Sequence, residues 1–190
     1  AAAGAGATAI GNAETTGTVT LSGAEYNTSS TQTYKATAFA INGTNPEFQG
    51  ANAAIKFLQG ASSGDVTLAD AANLTITGGS GAIEFGGDIL GTANGESTSV
   101  TLNTTGAVTV KSIGADGSTA ESPGNINDVT ITGGSISMNG TISTAVLGGS
   151  GEEAATDKGD VDINGAVTLS GAVTIDTSSS GGTVHFDNTI

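Results

Sequence analysis

The amino-acid sequence predicts an all-β fold, a parallel β-helix (β-solenoid) with three short strands per coil. Three observations carry this. Four stretches, Asn73 to Thr98, Ser99 to Asn127, Asp128 to Gly159 and Asp160 to Gly182, align as three strands followed by a loop. Their periods of 26, 29, 32 and 23 residues differ mainly in that loop, and periods of this size without helical patterning are the signature of a solenoid. The stock of core-forming residues is also thin, with 4% aromatics, no Trp and 31 Gly among 190 residues. A one-dimensional stack suits it, because each coil buries its few aliphatics against its neighbours.

The first strand of each unit centres on Leu74, Val100, Val129 and Val161, and the second on Ile83, Val108, Ile136 and Val167. The third centres on Ile89, Ile113, Ile142 and Val173. From first to second the offsets are 9, 8, 7 and 6 residues, and from second to third 6, 5, 6 and 6. Within Asp128-Val129-Thr130-Ile131-Thr132 side chains alternate, so Val129 and Ile131 face inward and the threonines outward. A fifth unit opens at Thr183-Val184-His185-Phe186. Glycines follow many strands, as at Gly78-Gly79, Gly133-Gly134 and Gly165, where a corner needs unusual backbone angles. They are no nucleotide loop, since neither a helix nor Gly-Lys-Ser/Thr follows.

Residues 61–190 therefore read as regular coils with loops at one corner, and residues 1–60 as a weakly patterned N-terminal part of the solenoid or a cap. Thr18-Val19-Thr20-Leu21, Ala38-Phe39-Ala40-Ile41, Ile55-Lys56-Phe57-Leu58 and Asp65-Val66-Thr67-Leu68 are expected strands. Ala24 to Tyr34 reads as a long polar loop. The opening Ala1-Ala2-Ala3-Gly4 suggests a processed or excised start. Stopping in mid-unit at Ile190 implies that more coils follow or that another subunit stacks there.

Eighteen acids against four Lys and no Arg give a formal charge of −14, which argues against nucleic acid and anionic membrane surfaces as partners. No apolar run approaches the roughly 20 residues of a membrane-spanning helix. Absence of Cys removes disulfide and thiol chemistry. The Asn-x-Ser/Thr triplets at Asn27, Asn42, Asn73, Asn103 and Asn139 carry no meaning without a host.

The run from Asp160 to Thr177, Asp-Val-Asp-Ile-Asn-Gly-Ala-Val-Thr-Leu-Ser-Gly-Ala-Val-Thr-Ile-Asp-Thr, with Gly182-Thr-Val-His-Phe-Asp187 after it, resembles the repeat regions of large bacterial surface adhesins. It is similar to filamentous haemagglutinin and autotransporter passenger domains. The likeness covers roughly Asp65 to Ile190 and is one of pattern. It implies a right-handed helix exported to the cell surface, with the repeats serving as a stalk.

Parallel β-helices also house polysaccharide lyases and hydrolases, so an enzyme is the sharpest rival. A lyase of that type needs a strong cation, usually Arg, to stabilise an enolate-like intermediate, and Arg is absent. Hydrolysis needs converging carboxylates, whereas Asp160, Asp162 and Asp176 lie on different strands of one coil with only the first two sharing a face. His185, the sole histidine, alternates outward between Val184 and Phe186. No catalytic or cofactor-binding residue is assigned.

Asp160-x-Asp162-x-Asn164-Gly165 mimics the opening of a Ca²⁺ loop, but Gly171 stands where a bidentate Glu is required. Asp160, Asp162 and Asn164 are thus weak metal candidates, and Ca²⁺ the one cofactor weighed. The loops after each third strand carry Glu96, Asp116, Glu121, Glu152, Glu153 and Asp157. Recurrence at one corner makes them candidate partner contacts. An ice-binding Thr array, Thr75-x-Thr77 and Thr130-x-Thr132, is interrupted by Asn103 and Asp162 at the same sites.

The expectation is a non-enzymatic stalk of an extracellular bacterial surface protein. Its partners would be a host or neighbouring-cell surface, or copies of itself end to end, without nucleic acid or membrane insertion. The alternative is a filament subunit stacking through uncapped coils, and the third reading a polysaccharide-active enzyme.

Overall fold

The computed structural model describes residues 8–12, 14–69, 72–91, 98–114, 126–144, 159–178 and 181–188. Among them every regular element is a strand. Among the described residues no helix is long and apolar enough to cross a membrane.

The chain winds through three faces in turn. The opening coils are β1 (Thr8–Ile10), β2 (Thr18–Leu21) and β3 (Glu25–Thr28), then β4 (Gln32–Ala36), β5 (Ala38–Ile41) and β6 (Glu47–Gly50). Next come β7 (Ile55–Gln59), β8 (Asp65–Leu68) and β9 (Leu74–Gly79), followed by β10 (Ile83–Phe85), β11 (Ile89–Leu90) and β12 (Val100–Thr104). The remainder comprises β13 (Ala107–Val110), β14 (Val129–Met138), β15 (Thr141–Ser143), β16 (Val161–Leu169), β17 (Thr174–Asp176) and β18 (Val184–Phe186).

Pairing is parallel throughout and joins each strand to its equivalent one coil away. On the first face Leu74, Val100, Val129, Val161 and Val184 stand in one column. On the second, Ile83, Val108, Ile136 and Val167 do the same. A parallel ladder between such distant strands is worth forming only if the interior fills. Thirty inward hydrophobics from Leu21 to Val167 form one continuous buried cluster, and Val100, Val129 and Val161 are fully buried. Roughly 1.5–3 kcal/mol for each such aliphatic is the main term holding the stack together.

The third face corrects one expected position. Ile142 stands over Ile175, not Val173. β16 runs to Leu169, and Ser170 N–H still bonds Met138 O at 2.9 Å, so residues 171–173 make the corner and the strand begins at Thr174. Val173 is half-buried against the core from that corner.

Strands before residue 60 join the same columns, and the expected loop Ala24 to Tyr34 contains β3 and the start of β4. Its inward positions are polar or aromatic, which hides the alternation. Gln32 is fully buried, its amide donating to Tyr26 O at 3.0 Å and Gln49 O at 2.7 Å. Its Oε1 accepts from the Tyr34 hydroxyl at 2.8 Å. Burial pushes the Tyr34 phenol above its ordinary range, with Tyr26 adding to the shift. Rings then fill this end of the bore: Tyr26 stacks on Phe48 at 4.4 Å, Tyr34 on Phe57 at 4.8 Å and Phe57 on Phe85 at 5.2 Å.

In the last coils the first and second strands merge into the single strands β14 and β16. The falling offset explains it, because at an offset of 6 only Gly165 is left to make the corner. A Cβ on Gly165 would lie 2.1 Å from Gly133 O, so only glycine lets adjacent coils touch there.

Candidate functional site

Polar side chains at the strand starts form ladders that climb the stack. On the first face Asn73 Nδ2 donates to Asn45 Oδ1 at 3.0 Å, and Ser99 Oγ to Asn73 Oδ1 at 2.8 Å. Asp160 N–H donates to Asp128 Oδ1 at 2.9 Å. On the third face Asp88 N–H donates to Asp65 Oδ1 at 3.0 Å, and Ser112 N–H to Asp88 Oδ1 at 3.2 Å. Each carboxylate or amide sits one coil below a backbone or side-chain donor, which is why Asn, Asp and Ser recur just ahead of the strands.

The metal candidates belong to this pattern. Asp160 Oδ1 accepts from Thr183 N–H at 2.7 Å and from its hydroxyl at 2.9 Å. Asp162 Oδ1 lies 3.6 Å from His185 Nδ1. Asn164 Oδ1 accepts from Asn188 Nδ2 at 3.5 Å. Three side chains two residues apart thus reach upward to three separate partners on the next coil. Among the described residues, no group of three or more His, Cys, Asp or Glu side chains is placed to hold a metal ion. Asp176 lies on the third face, where the Ser178 hydroxyl and N–H hold its carboxyl below the usual range; the N–H contact is 2.8 Å.

His185 faces outward as alternation requires, its side chain 63% exposed between Asp162 and Asp187 Oδ1, the latter 3.3 Å from Nε2. Alternation alone gave its outward direction and none of its neighbours. Its acidic neighbours are one coil below and two residues on, and the first-face register could have found them. Lys56 likewise pairs with Glu84 one coil on, at 2.9 Å.

The corner between the first and second faces opens into a groove of about 390 Å³ walled by Thr104, Thr105, Thr132, Asn164 and Asn188 over Gly133, Gly134 and Gly165. Its lining is uncharged, hydroxyl- and amide-bearing. The acidic loop residues Glu96, Asp116, Glu121, Glu152, Glu153 and Asp157 lie outside the described residues. In the sequence they follow Leu90 of β11, the Ile113 bridge and β15. Comparison with family models, curated proteins and solved structures finds no match to this chain.

Proposed function

We propose that this chain is a non-enzymatic spacer, a stiff β-solenoid stalk in an extracellular protein of a bacterial surface. What supports the reading above all is the parallel ladder, which runs as one sheet through the first and second faces, with a bore of fully buried Val, Ile, Leu and Phe inside it. An array of this kind holds its ends a fixed distance apart with few residues, and its outward Thr, Asn and Asp keep the surface hydrated. Contact with a host or neighbouring cell would come from the acidic insertions after the third face or from other parts of the protein. The bonds that Asp65, Asp88, Asp128 and Asp160 make to donors one coil away favour a structural use of these carboxylates.

Antibodies raised against the chain are expected to label intact producing cells, and the purified chain to leave a panel of acidic and neutral polysaccharides uncut. Labelling confined to permeabilised cells, or cleavage of any polysaccharide, overturns the proposal.

A further inference from the structure

Polar side chains on the outward faces fall into two groups. Those at the strand starts are taken up by bonds to the next coil, as at Asn73, Asp88 and Asp128. The column at the end of the first face is different. It runs through Thr77, Asn103, Thr132 and Asn164, one residue per coil. Among the described residues the side chains of Thr77, Asn103 and Thr132 make no hydrogen bond, and that of Asn164 only accepts one, at 3.5 Å from Asn188. Thr132 and Asn164 line the groove at the corner between the first and second faces. Asn103 and Thr77 continue their line along the stack.

The shortening corner makes this groove. Five residues separate Thr77 from Ile83, four separate Asn103 from Val108, three separate Thr132 from Ile136, and two separate Asn164 from Val167. Both flanking columns nonetheless stay in register, so each corner is cut back by one residue from the one before it. The glycines that let coils touch here bring no side chain to fill the step: a Cβ on Gly134 would lie 2.3 Å from Thr105 O. Thr132 sits between Asn103 and Asn164 in its column, so the groove belongs to the flank of the rod and not to its ends.

The chemistry of the lining selects the occupant. No charged side chain lines the groove, and a formal charge of −14 repels polyanions. Threonine hydroxyls donate and accept, and a side-chain amide does both, which matches the hydroxyls of a sugar. These groups recur once per coil, about 4.8 Å apart along the axis. An extended β-linked pyranose chain advances by nearly that length per sugar. An extended peptide presents a given side only every second residue, at about 6.7 Å, and falls out of step. We infer that this flank binds a neutral, extended β-linked polysaccharide lying along the axis, with one sugar to each coil. The lining has no aromatic platform, so each sugar is held weakly and affinity accumulates along the chain. Binding of this kind needs neither surface display nor cleavage, and so stands apart from the spacer reading.

The test is titration of the purified chain with neutral β-linked gluco-oligosaccharides of two to six sugars, read by calorimetry and by amide chemical shifts. Affinity should rise by about tenfold from two sugars to four, one for each position of the column, with shifts at Thr132, Gly134 and Asn164. Thr132→Val keeps the shape of the side chain and removes its hydroxyl, and should weaken binding of the longest chain by about threefold to tenfold. Asn164→Ala should do as much. Thr67→Val, outward on the third face, should leave binding unchanged, and thermal midpoints close to the parent's check that the variants fold. Absence of binding at every length overturns the inference, as does an affinity indifferent to chain length. So do unchanged binding by Thr132→Val, an equal loss from Thr67→Val, and tighter binding of a polyuronate of the same length.

Discussion

Val129→Asp tests the bore directly. Val129 is fully buried and stands between Val100 and Val161, so the substitution puts a carboxyl where neither neighbour offers a partner. Losing the aliphatic burial costs about 1.5–3 kcal/mol. The carboxyl enters neutral rather than charged, and protonating it at pH 7 from an ordinary value near 3.9 costs about 4 kcal/mol more. The total of roughly 6 kcal/mol is comparable with the whole stability of a small domain. In an array held by nearest-neighbour contacts it opens the adjacent coils first. The sign with pH follows. Burial raises the folded-state pKa above the unfolded one, so the folded state binds the proton more tightly, and the variant loses stability as pH rises past about 4. Urea denaturation followed by circular dichroism at about pH 4 and pH 7 should show a deficit some 4 kcal/mol smaller in acid. Thr130→Asp is the control, since Thr130 faces outward beside Thr101. With Asp162 as a like charge across the ladder it should cost no more than about 1 kcal/mol. Equal midpoints for Val129→Asp and the parent, or equal damage from Thr130→Asp, would refute the reasoning.

Gly165→Ala should cost about 1–3 kcal/mol in the same assay, because the added methyl meets Gly133 O at 2.1 Å and Ile136 Cδ1 at 3.0 Å; a neutral result would show that this corner can spread. Asp160→Ala removes the acceptor for two bonds from Thr183. It should speed amide hydrogen exchange across Val184 to Phe186 while leaving Leu74 to Thr77 unchanged. Tyr34, its phenol pushed up by burial, should stay protonated through the ordinary tyrosine range. Its phenolate absorbance should rise only as the fold is lost, and stability should fall as pH climbs past about 10, where the unfolded phenol ionises. Tyr34→Phe, which strands Gln32 Oε1 without its donor, should cost about 1 kcal/mol.

The stacking of the central coils was legible because Val, Ile and Leu alternate with Thr there, and only one register buries them all. The third strand of the last coil was not, since Val173 and Ile175 are both β-branched and two residues apart, so alternation cannot choose between them. The first coils hid for another reason. Gln32 and Tyr34 take inward positions and satisfy each other there, which in sequence looks like a polar loop. The roles of Asp160, Asp162 and Asn164 were illegible for a third. Their spacing suits a cation loop as well as a strand face, and their partners lie 23 to 24 residues away: Thr183 for Asp160, His185 for Asp162 and Asn188 for Asn164.

The steadily shortening corner gives every turn its own address. Val100 and Val108 are separated by 8 residues, Val129 and Ile136 by 7, Val161 and Val167 by 6. A segment copied from one place and pasted at another would arrive one or two residues too long or too short for the neighbours it lands between. Growth of this region by simple duplication is therefore self-limiting, and a swapped turn would need its glycines trimmed before it could seat.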